Sequence, residues 1–305
     1  MKFFSSRFRL PVQVIAIAAL LTGSVILGTN YVSANHPVFV EGNCNNPPAG
    51  NPTPPGTVGA ACGDFDGDGV IGTAEDTDGD RVFGTINGAN SAAGANNNGT
   101  ITIVTSGTFA EQVVITGNVT LQAAPGVSAN IDAVLQGDSG SGPRQGVPGI
   151  IVNAPANRFV VIRNIMSKNW TSGIQINGDS RVSIQDSKFE NNINYGIEIT
   201  GNARVSISTS TVNATGFRLN PATGDFPTTS APNPGIGIEF DGNSAGTLFE
   251  TTVTGSFRAG VSVPNGRRNQ VCVFNSNVFD NHPNFFNVMT SNTQCDVRFP
   301  IVRGH

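Results

Sequence analysis

Gly173-Ile174-Gln175-Ile176-Asn177-Gly178-Asp179-Ser180-Arg181-Val182-Ser183-Ile184-Gln185-Asp186-Ser187-Lys188-Phe189 decides the fold. In Ile174-Gln175-Ile176 and again in Val182-Ser183-Ile184, apolar side chains alternate with a polar one, the two-residue period of a strand. Gly, Asn, Asp and Ser interrupt these runs, so each strand is short. The unit recurs at Gly149-Ile150-Ile151-Val152, Gly196-Ile197-Glu198-Ile199, Gly237-Ile238-Glu239-Phe240 and Gly260-Val261-Ser262-Val263. Its glycines are separated by 173−149 = 24, 196−173 = 23, 237−196 = 41 and 260−237 = 23 residues. A fixed period of that size means one structural unit repeated, each burying its apolar face against its neighbours. An α-solenoid needs runs of about ten or more residues at helical spacing, and the chain has none. The expectation is an all-β solenoid with about three strands per turn.

The unit Gly-Ile-x-Ile-x-Gly, then Val-x-Ile, a polar turn and x-Phe, resembles the right-handed parallel β-helix of the pectate-lyase-like superfamily. The resemblance runs from about Gly84 to Val288, in coils of roughly 22–24 residues. It implies a groove over the first strand of each coil, where polysaccharides bind and where catalytic groups and catalytic calcium are found. It does not imply an activity, because this fold carries lyases, hydrolases, esterases and inert fibres alike.

The segment before the repeats is a targeting signal. Lys2, Arg7 and Arg9 precede an apolar run from Val12 to Gly28, and Val32-Ser33-Ala34 supplies the small residues of a cleavage site. Cleavage after Ala34 leaves no span in the mature chain; a retained anchor helix is the alternative. The expected location is extracellular or in the cell envelope. Four cysteines in an exported chain favour disulfides. Cys272 and Cys295 lie 23 residues apart, one coil, and one coil brings equivalent positions to about 4.8 Å. The expected pairs are Cys272–Cys295 and Cys44–Cys62.

Net charge is −4 and only 12% of residues are charged, with no basic patch for nucleic acid. Acidity is concentrated in Asp64, Asp66, Asp68, Glu75, Asp76, Asp78 and Asp80. Within it, Asp64-Phe65-Asp66-Gly67-Asp68-Gly69-Val70-Ile71-Gly72-Thr73-Ala74-Glu75 puts oxygen ligands at the first, third, fifth and twelfth positions and Gly at the sixth. This resembles an EF-hand or dockerin loop without flanking helices. The resemblance implies a structural Ca²⁺ held by Asp64, Asp66, Asp68, the Val70 carbonyl and Glu75.

The order expected is a signal peptide (1–34), a Pro/Gly/Asn-rich leader (35–63), the acidic loop (64–83), the β-helix (84–288) and a tail over the last coil (289–305). Gly84 to Ala95 is expected to form a capping helix, with strands beginning at Thr100. The long interval contains about 18 surplus residues, Phe217 to about Gly235, stiffened by four prolines. That loop either walls the groove or is an insertion without a role.

Stacking the coils sets Ile151, Gln175, Glu198, Glu239 and Ser262 in one outward column, with Asn177, Thr200 and Asp241 one step along. Adjacent carboxylates raise one another's pKa, giving an acid and a base, or they share a cation. Glu198, Glu239 and Asp241 are therefore the candidate catalytic groups. Arg258 is the candidate to approach an acidic sugar. Arg158, Arg181 and Arg204 recur every 23 residues, and salt links with Asp179 or Glu190 are expected there. The familiar signatures of polygalacturonases, pectin esterases, the main pectate lyases and alginate epimerases do not occur. Two functions stay open: a polysaccharide lyase or glycoside hydrolase, and a non-catalytic binding or structural β-helix. Oligomeric state is not legible.

Overall fold

A computed structural model describes residues 38–41, 82–92, 99–133, 147–213, 215–216, 235–264, 271–281 and 283–288. Within them lie 23 strands, β1–β23 along the chain, in three parallel sheets. The first sheet holds the Gly-Ile-x-Ile strands: β5 (Val113–Ile115), β8 (Ile150–Val152), β11 (Ser172–Ile176), β14 (Tyr195–Ile199), β17 (Ile236–Phe240), β20 (Ala259–Ser262) and β23 (Phe285–Phe286). The Val-x-Ile strands form the second: β1 (Val38–Val40), β2 (Val82–Phe83), β3 (Gly99–Ile103), β6 (Val119–Ala123), β9 (Phe159–Arg163), β12 (Arg181–Gln185), β15 (Arg204–Ser208), β18 (Ala245–Phe249) and β21 (Val271–Phe274). In the third are β4 (Gly107–Phe109), β7 (Ala129–Asp132), β10 (Ile165–Lys168), β13 (Lys188–Glu190), β16 (Thr211–Asn213), β19 (Thr252–Thr254) and β22 (Asn277–Phe279). The chain visits the sheets in turn and each strand pairs with its equivalent one coil away. The molecule is a single-stranded parallel β-helix, with the right-handed crossovers that parallel strands require.

Its core is a set of columns. Ile150, Ile174, Ile197, Ile238 and Val261 align along the first sheet, and Leu121, Ile162, Ile184, Ile207 and Leu248 along the second, all buried. Sizes compensate within a coil, as close packing demands. Where Phe240 replaces an isoleucine of its column, the neighbouring strand carries Gly246, and a Cβ there would meet the Phe240 ring at 2.6 Å. Likewise Ser167 takes an inward position that Ile131 and Phe189 fill in adjacent coils, and Trp170 is fully buried nearby. The Trp170 indole donates to the Ile131 carbonyl at 3.0 Å.

The repeat glycines stack in register, for a spatial reason. A Cβ at Gly173, Gly196 or Gly237 would lie 2.7, 2.7 or 2.6 Å from the carbonyl oxygen of the glycine one coil on. The second-to-third-sheet corners are single residues in the left-handed region: Asn164, Asp186, Thr209, Glu250 and Asn275. Behind four of them Ser187, Ser210, Thr251 and Ser276 turn their hydroxyls back onto the carbonyls of Gln185, Ser208, Phe249 and Phe274. The three-residue polar turn of the sequence is thus a one-residue corner followed by a serine or threonine bound to the backbone.

Helix α1 (Ile86–Ala92) closes the first coil. Glu111 caps it, accepting from the backbone N–H groups of Ile86 (2.6 Å) and Asn87 (3.0 Å). The Asn87 and Asn90 amides donate to the carbonyls of Gln112 and Val114, so the edge of β5 is covered rather than left open.

Two features depart from the sequence reading. Val38-Phe39-Val40, assigned to the loose leader, is a strand inserted between Val82–Phe83 and Ile101–Ile103. Three alternating residues are too short a run to register as periodic beside so much proline. The arginine column is also broken: Arg181 pairs with Arg204, but the residue opposite it on the other side is Phe159, leaving Arg158 one step out of register. The residues expected to form salt links take other partners where their contacts are described. Arg204 donates to the carbonyls of Asn202, Ala203 and Asn243, Asp179 accepts from Asn202, and Glu190 pairs with Lys188. The end of the expected acidic loop, Val82–Phe83, is a strand of the second sheet; residues 64–81, the insertion at 217–234, the tail from 289, and Cys44, Cys62 and Cys295 lie outside the described residues. Cys272 is buried and engaged with a partner.

Candidate functional site

The first sheet brings three of the predicted residues together. Glu198 on β14 pairs directly with Glu239 on β17; Gln175 and Ile151 continue the column on one side and Ser262 on the other. Alternation along β17 and its continuation turns Glu239 and Asp241 to the same outer side. In the parallel column, Asn177 donates to Asn153 at 2.9 Å and Thr200 donates to Asn177 at 3.0 Å.

The two glutamates have different surroundings. Glu198 Oε2 accepts from Ser172 Oγ at 2.9 Å and from Gln175 Nε2 at 3.2 Å, both on β11. Glu239 receives the Tyr195 hydroxyl and is only 9% exposed, well below what an outward sheet position suggests. Burial raises both carboxyls above the ordinary range. For Glu198, the Ser172 and Gln175 hydrogen bonds oppose that rise and Asp241 adds to it. For Glu239, repulsion from Asp241 and then Glu198 joins burial, and its pKa is pushed up to about 7 against the pull of Tyr195. The Tyr195 hydroxyl is itself pushed up by burial and by Glu239, Glu198 and Asp241, so it stays protonated and acts as a donor. Glu239 therefore exchanges its proton around neutral pH beside a Glu198 anchored by two donors, an arrangement suited to acid–base chemistry.

Arg258 is exposed and precedes β20, its N–H bound to the Gly235 carbonyl at 2.9 Å. It is not among the groups that shift either glutamate. Among the described residues no group of three His, Cys, Asp or Glu is placed to hold a metal. The residues that the sequence reading missed are Tyr195 and Ser172. They precede the repeat glycines and share an outward register, Ser172 with Tyr195. Strict alternation misses them: Tyr195 and Ser172 have the parity of the buried isoleucines of their strands, and the alternation breaks at the glycine, where a Cβ would point at buried Phe189 or Val212.

A stability consequence follows from the Glu239 environment. Its folded pKa of about 7 lies above the ordinary 4.5, so the folded state holds a proton that the unfolded chain releases. The corresponding stability is complete below about pH 4.5 and is lost as pH rises through about 7. Glu239→Gln does not titrate. Between those pH values the melting temperature of the unsubstituted protein should therefore fall relative to the variant. A difference constant with pH would remove this assignment.

The family model for the right handed beta helix region matches residues 148–300, which is 153 of the 305 residues. The chain belongs to that family. No curated protein and no solved structure matches it.

Proposed function

We propose that this chain is an exported right-handed β-helix that binds a polysaccharide along the outer face of its first sheet and hydrolyses it there. The observation that carries the reading is the directly paired Glu198 and Glu239, of which Glu239 is buried with its pKa pushed up to about 7. Two neighbouring carboxyl groups in different surroundings are what a glycosidase uses. A groove over the first strand of each coil is also what the likeness to the pectate-lyase-like superfamily implies. Elimination is less well supported: it needs a cation to neutralise a uronate, and the groups that act on Glu198 and Glu239 are carboxyls, Tyr195, Ser172 and Gln175 rather than an arginine. The net acidity of this face favours a neutral glycan. The test is a panel of neutral and acidic polysaccharides, with new reducing ends and unsaturated products measured separately. Unsaturated products would replace hydrolysis with elimination. The second reading, a non-catalytic binding or structural β-helix, is favoured by the missing enzyme signatures; retention on a glycan column with no cleavage would select it.

The rest of the reading concerns assembly. Signal cleavage after Ala34 would deliver the chain to the cell envelope or beyond, where Cys44–Cys62 and Cys272–Cys295 would form. One Ca²⁺ would be held by Asp64, Asp66, Asp68, the Val70 carbonyl and Glu75, at oxygen distances of roughly 2.3–2.6 Å. A cation bound only by the folded form stabilises it by mass action. Chelation is expected to lower the melting temperature, calcium to restore it, and Asp68→Ala to abolish the response. A calorimetric titration to millimolar calcium with no heat would refute the ion.

A further inference from the structure

We infer that cleavage at this face proceeds with retention of anomeric configuration, Glu198 forming a bond to the anomeric carbon while Glu239 protonates the departing oxygen. The inference rests on the hydrolytic reading above and adds the reaction course. Glu198 and Glu239 are the same residue type at directly paired positions of adjacent parallel strands, both facing outward. The backbone positions that carry their carboxyl groups are therefore offset by about the interstrand spacing, roughly 4.8 Å. Retaining enzymes hold their carboxyls about 5–5.5 Å apart, whereas inverting enzymes need about 6.5–9.5 Å to admit a water. That offset lies near the first range and below the second.

A competing pair exists. Glu239 and Asp241 are two residues apart on one side of the chain, about 6.6 Å by strand rise, which falls within the inverting range. Hydrogen bonding separates the two. Both donors to Glu198 converge on Oε2, and no described hydrogen bond occupies Oε1. A carboxylate anchored through one oxygen with the other uncommitted is a positioned nucleophile. Asp241 instead takes the backbone N–H of Gly242 on Oδ1 at 2.7 Å, so its carboxyl is tied to the turn that follows the strand.

The steps balance without any co-reactant except water. Glu198 Oε1 bonds to the anomeric carbon as the glycosidic carbon–oxygen bond breaks, and the Glu239 proton passes to the leaving oxygen. Water then replaces the first product. It gives a proton to Glu239 as its oxygen bonds to the anomeric carbon, and the bond to Glu198 breaks. Two inversions give net retention, and both carboxyls return to their starting states.

The experiment uses the full chain with oligosaccharides of xylan, mannan, galactan and arabinan. Proton NMR reads the anomer formed first, before mutarotation. Retention is expected, with Glu198→Ala inactive, its activity recovered by azide, and the glycosyl azide carrying the opposite anomer. Isosteric Glu198→Gln should be inactive as well with an unchanged melting temperature, which separates lost chemistry from lost folding. First formation of the inverted anomer, with Asp241→Asn inactive and Glu198→Gln active, overturns the inference and leaves hydrolysis standing. A glycan that binds but is never cut overturns the hydrolytic reading, and the inference falls with it.

Discussion

Glu239→Gln is expected to lower glycan cleavage by about 10²- to 10⁴-fold, the usual contribution of a positioned general acid, with little change in binding. The amide keeps the shape and can still accept from Tyr195, but it has no proton to give. The pH dependence carries more information than the loss. If Glu239 works as the acid, activity should fall as pH rises through about 7, where it gives up its proton. The groups around it set that limb in opposite directions. Tyr195→Phe removes the hydrogen bond that favours the ionised form, so the limb should move to higher pH. Asp241→Asn removes the larger of the two repulsive charges, so the limb should move to lower pH. Measured on kcat/KM, which reports the free enzyme, opposite displacements would tie the titration to Glu239. A limb that neither substitution moves would assign the proton to another group.

The fold was legible because a β-helix repeats its information. One period fixes which residues are equivalent, and alternation within Gly-Ile-x-Ile fixes which of them face out, so the column through Gln175, Glu198 and Glu239 could be placed without coordinates. Legibility failed where a signal occurs once or is broken. Val38–Val40 has no preceding coil to be compared with, and Arg158 shares the 23-residue spacing of Arg181 and Arg204 yet misses their register by one residue. The turn before β9 is two residues longer than its equivalent, nine residues from Ile150 to Phe159 against seven from Ile174 to Arg181, which shifts Arg158 off the register without breaking its 23-residue spacing. The environment of Glu239 was hidden for a different reason. An outward sheet position suggests a solvated side chain, and nothing in the local pattern says that this one is buried while Glu198 is held by two donors from β11. Burial of an outward position depends on what crosses the face, which no repeat encodes.

Gly196→Ala should be among the most damaging single-methyl changes in the chain, costing about 1–3 kcal/mol as overpacking of a filled interior does. The added methyl would collide with Val212 Cγ1 and lie 2.7 Å from the Gly237 carbonyl oxygen, with Thr215 Oγ1 at 3.2 Å. Val212 is fully buried, and the Gly237 carbonyl belongs to a strand fixed by parallel pairing on both sides. Relief would require the coils to part. Gly178→Ala provides the contrast: no atom lies within 4 Å of its Cβ, and its φ of +65° is the whole obstacle. A left-handed alanine costs about 1–2 kcal/mol, but it distorts only its own turn. In a solenoid, stability is a sum over neighbouring coils, so the two variants should differ in where they loosen the chain. Hydrogen exchange in Gly196→Ala should accelerate in β14 and β17 together, whereas Gly178→Ala should quicken only the turn after Ile176. Guanidinium midpoints equal to the unsubstituted protein for Gly196→Ala would show that the glycine column is not needed for close stacking.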